Sequence, residues 1–403
     1  MPSKPSPNRP SARSKSSAMK PEKSAKLSSA QSRAPSLAGL RQEIDKLDKD
    51  LVSYLNQLVD RLNRRAEIAT KIGEIKQNHG IEVWSPAREE EVLTKALHEN
   101  KGPLPQETLR LIFRELMSGS RSLQQPLKVA SLGPKFSYSH VAAMAKFGSS
   151  VEHVPVGSIA AVFEEVNRKR VHLGIVPLEN STDGRIADTL EMFARLPDIK
   201  IRAEIRLRVH HCLLGRCEWG EVRRVYSKAQ ALSQCREWLG KNLPGAVLVP
   251  VVSTAAAAEL AQREDYAAAV AGRAAADGYR LKILAENIED RANNTTRFAV
   301  ISDRGEQATG NDKTTLMIRL ANRPGALVQA FRAFEKHDVN MTWIESFPTA
   351  ETTHDDTQSY LFFVDILGHI DEERIQKAVA ETRKRCEKLE ILGSYPRGSC
   401  IDN

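Results

Sequence analysis

The sequence predicts a multidomain fold: an all-α domain, then a two-lobed α/β domain, then an α+β ferredoxin-like domain. Three observations predict it. Apolar residues recur at steps of three and four across 37–77, the mark of a helix with one buried face. From Lys128 onward, short Val/Ile/Leu runs alternate with helical stretches, an α/β pattern. From Thr314 the order is strand, helix, strand, strand, helix, strand, the order of a ferredoxin-like unit. A chain of 403 residues accommodates roughly two to four such domains.

Residues 1–35 stand apart. They are rich in Ser, Pro and Lys and carry eight basic residues against one acid, Glu22. With so little apolar surface to bury, they cannot offset their ordering entropy and are expected to be a disordered basic tail. The same composition is that of an organelle transit peptide, although its prolines would break an amphipathic helix. The tail holds +7 of the chain's net +8, leaving +1 for the other 368 residues. A nearly neutral folded part excludes nucleic-acid binding as the main function, which calls for a basic folded face. No apolar run is long enough to span a bilayer, so no membrane partner is expected. Cys212, Cys217, Cys235, Cys386 and Cys400 are odd in number and lack CxxC spacing, and read as reduced thiols of a cytoplasmic protein.

The helical domain is placed at 36–125. Leu40, Ile44, Leu47, Leu51, Tyr54, Leu58 and Leu62 form its stripe, with no Pro across 37–77 and, after Gly39 at its start, only Gly73 interrupting. A helix of about 40 residues reaches roughly 60 Å, more than one domain can cover, so it is expected to pack against a partner chain in a homodimer. Pro86 opens a second helix, through residue 98, and Pro105 precedes a third, through residue 124. The α/β domain is placed at 127–303, with strands at 128–132, 151–155, 173–176, 201–214, 224–227, 247–251, 267–270 and 298–301. A polar linker at 304–313 leads to the last domain, 314–395. Its strands are expected at 314–320, 339–347, 359–367 and 389–392, and its helices at 326–337 and 371–386.

Two separated motifs carry the most chemistry. Pro177-Leu178-Glu179-Asn180-Ser181 and Asn294-Thr295-Thr296-Arg297-Phe298 each set small hydrogen-bonding residues and one charge at the edge of a strand, where α/β sheets form ligand sites. Neither offers a metal cage, a nucleophile with its base, or a phosphate loop. Positioning and proton management are left, with no cofactor and no metal.

Further motifs keep the same company: Leu132-Gly133-Pro134-Lys135-Phe136-Ser137-Tyr138-Ser139-His140, Asp183-Gly184, Ser227 with Gln230 and Gln234-Cys235, and Ser253-Thr254-Ala255-Ala256-Ala257-Ala258. In that order they resemble prephenate dehydratase, with Phe136 where a Gly is usual. The resemblance implies conversion of prephenate to phenylpyruvate, with loss of carbon dioxide and a ring hydroxyl. It implies Thr296 as a catalytic donor or relay to that hydroxyl and Glu179 as a candidate acid. Asn180, Ser181, Ser227, Gln234 and Phe298 would bind substrate, with Arg297 gripping a carboxylate in bidentate fashion. For Arg297 the residues themselves leave a structural ion pair equally open.

In the helical block, Leu40-Arg41, Ile44-Asp45, Asn63-Arg64-Arg65, Ile72-Gly73-Glu74-Ile75-Lys76, Arg88-Glu89, and Ser120 with Gln124 resemble the all-helical class of chorismate mutase. That reaction rearranges chorismate to prephenate within one molecule, so holding a compact conformer and stabilising charge on the ether oxygen would suffice. The resemblance implies that Arg65 clamps a carboxylate and that Lys76 and Gln124 donate to the ether oxygen. Glu89 would hold the substrate hydroxyl, supported by Arg88 and Ser120, while Arg41 would reach in from a partner chain. Ser85 stands where a carboxylate is expected, and the stretch from Arg41 to Arg65 is one heptad longer than usual.

The Asn322-Arg323-Pro324-Gly325-Ala326-Leu327-Val328 turn and Ile344-Glu345-Ser346-Phe347-Pro348 resemble the ACT regulatory domain of dehydratases, with Phe347 where Arg is usual. Gly325, Ala326, Leu327, Val328, Glu345 and Ser346 would then bind L-phenylalanine as a feedback inhibitor. The whole resembles the bifunctional chorismate mutase–prephenate dehydratase family. The alternative is a dehydratase alone, its helical block serving as a dimerisation arm.

Overall fold

The computed structural model describes residues 36–79, 83–182, 184–352 and 358–401. The expected tail and Asp183 lie outside them. The described residues divide into two units, 36–62 and 63–401, and the 42-residue helix Leu37–Asn78 contributes to both. In the first unit Leu40, Ile44, Leu47, Leu51, Tyr54 and Leu58 of this helix are all exposed, from 41% at Leu40 to 66% at Tyr54.

The second unit begins with the rest of that helix, followed by the helices Pro86–His98 and Gln106–Ser122. Ser85 caps the former, its hydroxyl accepting from the Arg88 amide at 3.4 Å, and Pro86 occupies the first helical position. Gly73 is buried against the end of the third helix, where an added Cβ would lie 2.7 Å from Gln124 Cα. Only a residue without a side chain lets these backbones approach so closely.

A seven-stranded sheet follows, in the order Cys400–Ile401, Lys200–Arg208, Thr295–Ser302, Leu173–Asn180, Lys128–Leu132, Glu152–Val156, with Gly184–Arg185 paired beside Asn180. Successive residues alternate between its faces. Ala130, Val176, Ala299 and Ile301 enter one core, while Val129, Ile175, Phe298 and Val300 enter the other. A second sheet of five strands runs Lys282–Ala285, Cys212–Gly215, Ala267–Ala271, Arg224–Lys228, Val247–Val251. The terminal sheet, Met341–Thr352, Gln358–Leu367, Asp312–Arg319, Lys388–Pro396, carries the helices Ala326–Lys336 and Glu373–Arg383. It does not hang loosely. Met317, Leu361, Phe363, Leu392 and Tyr395 share one core with Leu178, Leu190, Phe193 and Ile201 of the seven-stranded sheet and its helices.

One expected strand divides. Residues 201–214 read as a single apolar run, but they form Lys200–Arg208 in one sheet and Cys212–Gly215 in the other. The chain crosses between lobes at Val209, His210 and His211, and returns just before Thr295. The two crossings lie side by side, with Val209 N donating to Asn294 O at 2.8 Å and Ile288 N to His211 O at 2.9 Å. Apolar content alone does not show which sheet a residue joins, so this crossing was invisible to hydropathy.

Candidate active sites

Between the two lobes lies a cavity of about 670 Å³, and residues of both lobes line it. Asn180, Gln234, Thr296 and Phe298 are on its wall, with Lys135, Ser137, Ser139, His211, Lys228, Gln230, Ser253 and Asn294. Ser137 and Ser253 cap the helices Tyr138–Phe147 and Thr254–Arg263, so two helix N-termini with their free N–H groups open toward the cleft. Among the described residues its lining lysines are Lys135 and Lys228.

Four expected cleft residues face elsewhere: strand alternation turns Arg297 away, a β-bulge turns Glu179 with it, and Ser181 and Ser227 are held by local hydrogen bonds. Along the paired strands, Thr296 lies opposite Asn180 and Arg297 opposite Glu179, but Phe298 lies opposite Pro177. Leu178 is the extra residue. It resets the alternation, so Pro177 and Asn180 both reach the cleft while Glu179 turns with Arg297 to the opposite face. Glu179, Ser181 and Arg297 line a different cavity, of about 330 Å³, with Lys313 and Trp343 of the terminal domain. Ser181 there ties the strand ends together, its hydroxyl donating to Asn293 O at 3.1 Å and accepting from Thr295 N at 2.9 Å. Ser227 is fully buried and donates to Val270 O at 2.6 Å, inside its own sheet. The structure therefore corrects the expected placement of these four side chains.

Arg297 is instead the centre of an ion cluster. Its Nε donates to Glu204 at 2.9 Å and its Nη2 to Tyr395 OH at 2.9 Å. Asp365 Oδ2 lies 2.6 Å from Nη2, an ion contact without the alignment of a hydrogen bond. Lys313 adds contacts to Glu204 at 3.0 Å and to Asp365 at 3.4 Å. Burial pushes the Glu204 carboxyl up, but Arg297 and Lys313 outweigh it, and the net shift is down. At Glu179 burial wins, and its carboxyl titrates above the usual range.

The cleft side carries a continuous hydrogen-bonded chain. Asn180 Nδ2 donates to Thr296 Oγ1 and to Asn294 Oδ1, both at 2.9 Å. Asn294 Nδ2 donates to Gln234 Oε1 at 3.0 Å, and that oxygen lies 3.0 Å from His211 Nε2. His211 Nδ1 lies 2.9 Å from Tyr138 OH. His211 is 2% exposed, and burial lowers its pKa. Sequence reasoning missed His211 because it sits within the run that read as one strand.

In the helical block, Arg65 donates to Ser120, Gln124 Nε2 donates to Ser120 O at 3.5 Å, and Lys76 Nζ reaches Val83 O at 3.4 Å. Glu89 does not join this group. It pairs with buried Arg121, which also donates to Phe147 O at 2.5 Å, and it accepts from Trp84 Nε1 at 3.1 Å. Arg88 is exposed and pairs with Glu91 at 2.5 Å. Lys76 and Glu89 line separate cavities. Their expected meeting around one substrate is not formed within this chain. Arg41 lies in the first unit, exposed on the long helix.

In the terminal domain Gly325 has φ +79° and precedes the helix at Ala326, which is buried, while Leu327 and Val328 are exposed. Arg185, opposite Glu179 on its short strand, donates to Ser346 O at 2.8 Å and lies 3.5 Å from Glu345. Phe347 packs edge-on against Phe363, ring centroids 6.4 Å apart.

Three family models match in order: chorismate mutase type II over residues 40–125, prephenate dehydratase over 129–306 and the ACT domain over 314–383. The bifunctional chorismate mutase/prephenate dehydratase of Aquifex aeolicus is 43% identical over 366 residues, 90% of this chain and 98% of that protein. The enzyme of the same name from Stutzerimonas stutzeri is 38% identical over 373 residues, 91% of this chain and 99% of its own. Among solved structures, prephenate dehydratase from Arthrobacter aurescens in complex with L-Phe superposes with a TM-score of 0.62. It is 31% identical and covers 67% of this chain and 90% of that one.

Proposed function

The chain belongs to the bifunctional chorismate mutase/prephenate dehydratase family, and from that premise we propose how its residues divide the work. The helical domain converts chorismate to prephenate, and the two-lobed domain converts prephenate to phenylpyruvate, on the way to L-phenylalanine.

The single observation that carries the dehydratase assignment is the Asn180–Thr296 hydrogen bond on the cleft wall. In the reaction the bond from the ring to its carboxylate breaks and carbon dioxide leaves. The freed electron pair moves across the ring and expels the hydroxyl at the far carbon, which departs as hydroxide and takes one proton to become water. Aromatisation drives the step, so the protein has to orient two carboxylates and assist the leaving oxygen. Thr296 serves as the hydrogen-bond donor to that oxygen. An aliphatic hydroxyl is too weak an acid to surrender its proton outright, but a positioned donor stabilises the developing charge. Lys135, Lys228 and the two helix N-termini meet the carboxylates. Arg297 holds the catalytic strand from behind.

For the mutase, Arg65, Lys76, Gln124 and Ser120 supply the cationic and donor groups, and a second copy of the chain supplies Arg41. The exposed apolar stripe of Leu37–Asn78 supports a homodimer. L-Phenylalanine binds the terminal domain near Gly325 and Glu345 and inhibits the enzyme, which works in the cytoplasm with its five cysteines reduced. No helix among the described residues is long and apolar enough to cross a membrane.

The test is turnover of chorismate by the purified protein, following chorismate, prephenate and phenylpyruvate together with and without L-phenylalanine. Phenylpyruvate formed from chorismate and suppressed by phenylalanine is the expected result. Chorismate that persists while added prephenate is consumed would leave the helical block as a dimerisation arm.

A further inference from the structure

Thr296 helps a leaving hydroxyl only if its oxygen accepts from the protein and its hydrogen points into the cleft. The hydrogen-bonded chain behind it fixes that polarity. The backbone N–H of Thr182, which can only donate, lies 3.0 Å from Asn180 Oδ1. Asn180 must therefore present its Nδ2 to its other partners, and its two hydrogens reach Thr296 Oγ1 and Asn294 Oδ1. With its oxygen so used, and accepting from Thr182 Oγ1 as well at 3.2 Å, Asn294 presents Nδ2 to Gln234. The Gln234 atom facing it is then Oε1, an acceptor. His211 Nε2 faces that same oxygen and must carry a hydrogen. Tyr138 OH, which donates to His210 O at 2.7 Å, lies 2.9 Å from His211 Nδ1, so in the neutral ring Nδ1 shares that single hydroxyl hydrogen with the carbonyl.

The order is anchored at both ends, by a backbone amide near the cleft and by a buried imidazole between the lobes. Without the Nε2–H, the Gln234 amide loses the donor that opposes its flipping, and Asn294 loses its fixed acceptor. We propose that His211 is a positioning residue of the dehydratase reaction: its Nε2–H locks Gln234 and Asn294, and through Asn180 keeps the Thr296 hydroxyl aimed as a donor at the leaving oxygen. His211 lies at the interlobe crossing, so the same lock ties hydroxyl orientation to the seating of the two lobes.

Replacements at 211 separate this role from packing. His211→Gln keeps a donor at the ε position, whereas His211→Asn reaches only the δ position and His211→Phe fills the volume without a donor. Expected for H211N and H211F is a kcat on prephenate lower by about 10- to 100-fold, with KM within about twofold. H211Q is expected near the wild type, and mutase turnover of the same preparations unchanged. Wild-type kcat in H211N or H211F overturns the proposal. So does an equal loss in H211Q and H211N, since the effect would then follow packing and not the ε donor. A loss seen in KM alone does the same. The inference rests on the dehydratase reading, and wild-type enzyme run alongside distinguishes the two. Absent wild-type turnover overturns both, while turnover insensitive to these variants overturns this inference alone.

Discussion

Thr296 and Arg297 are neighbours, and the pleat of one strand turns them to opposite faces. Thr296→Val removes the hydroxyl while keeping the shape, and loss of one such donor costs roughly 100- to 1,000-fold in kcat. Dehydratase kcat is expected to fall by about that factor with mutase turnover intact, as read from phenylpyruvate formation and chorismate loss in one preparation. A fall under about threefold would remove Thr296 from the chemistry. The two sequence motifs pointed to this strand pair because small polar residues ended two apolar runs. They did not show which polar residues share a face. Alternation from Pro177 would have put Glu179 in the cleft, and the extra Leu178 gives that place to Asn180. Ser227 misled for a related reason. A serine at a strand end reads as a ligand group, but its hydroxyl satisfies the Val270 carbonyl within the sheet.

Among elements, the helices were the most legible, because their period extends over many turns and prolines mark their starts. The strands were less so, since a short apolar run carries no sign of the sheet it joins. Gly73 shows how an element sets a site. It lets the long helix approach Gln124 closely enough for Lys76 and Gln124 to share one end of the block. Gly73→Ala is expected to lower stability by about 1–3 kcal/mol through overpacking. Chorismate turnover is expected to fall about tenfold, with prephenate turnover retained. Unchanged melting and mutase kinetics would show that the contact yields freely. The short strand Gly184–Arg185 links two other elements, pairing with Glu179-Asn180 while its arginine holds Ser346 and Glu345. If it transmits the effector signal, Arg185→Ala raises the L-phenylalanine concentration for half-inhibition about fivefold or more, within the usual range of coupling energies. An inhibition curve identical to wild type would rule out this route.

At the scale of the whole molecule, the ACT domain is docked on the seven-stranded sheet by a shared apolar core and by a buried ion cluster. Two cations, Arg297 and Lys313, face Glu204 and Asp365, with Glu179 at the margin 4.0 Å from Arg297. Such clusters add little over an apolar contact but cost much when one member is removed. Asp365→Asn is therefore expected to destabilise the protein by about 3–5 kcal/mol at neutral pH. The cluster also gives the fold a pH dependence whose sign follows from Glu204. Its folded-state carboxyl titrates below the unfolded value of about 4.3, so near that pH the unfolded chain binds the proton more readily. The stabilisation is fully present above the unfolded pKa and is lost as pH falls through the lowered one. Glu179, raised by burial, contributes in the opposite sense. It stands apart because it is half-buried and lies farther from the cations. Melting temperatures of wild type and Glu204→Gln should thus differ most at pH 6–8 and converge as the pH drops below about 4. A gap that stays constant down to pH 3 would mean that the Glu204 charge does not hold the two domains together, and that the apolar core does so alone.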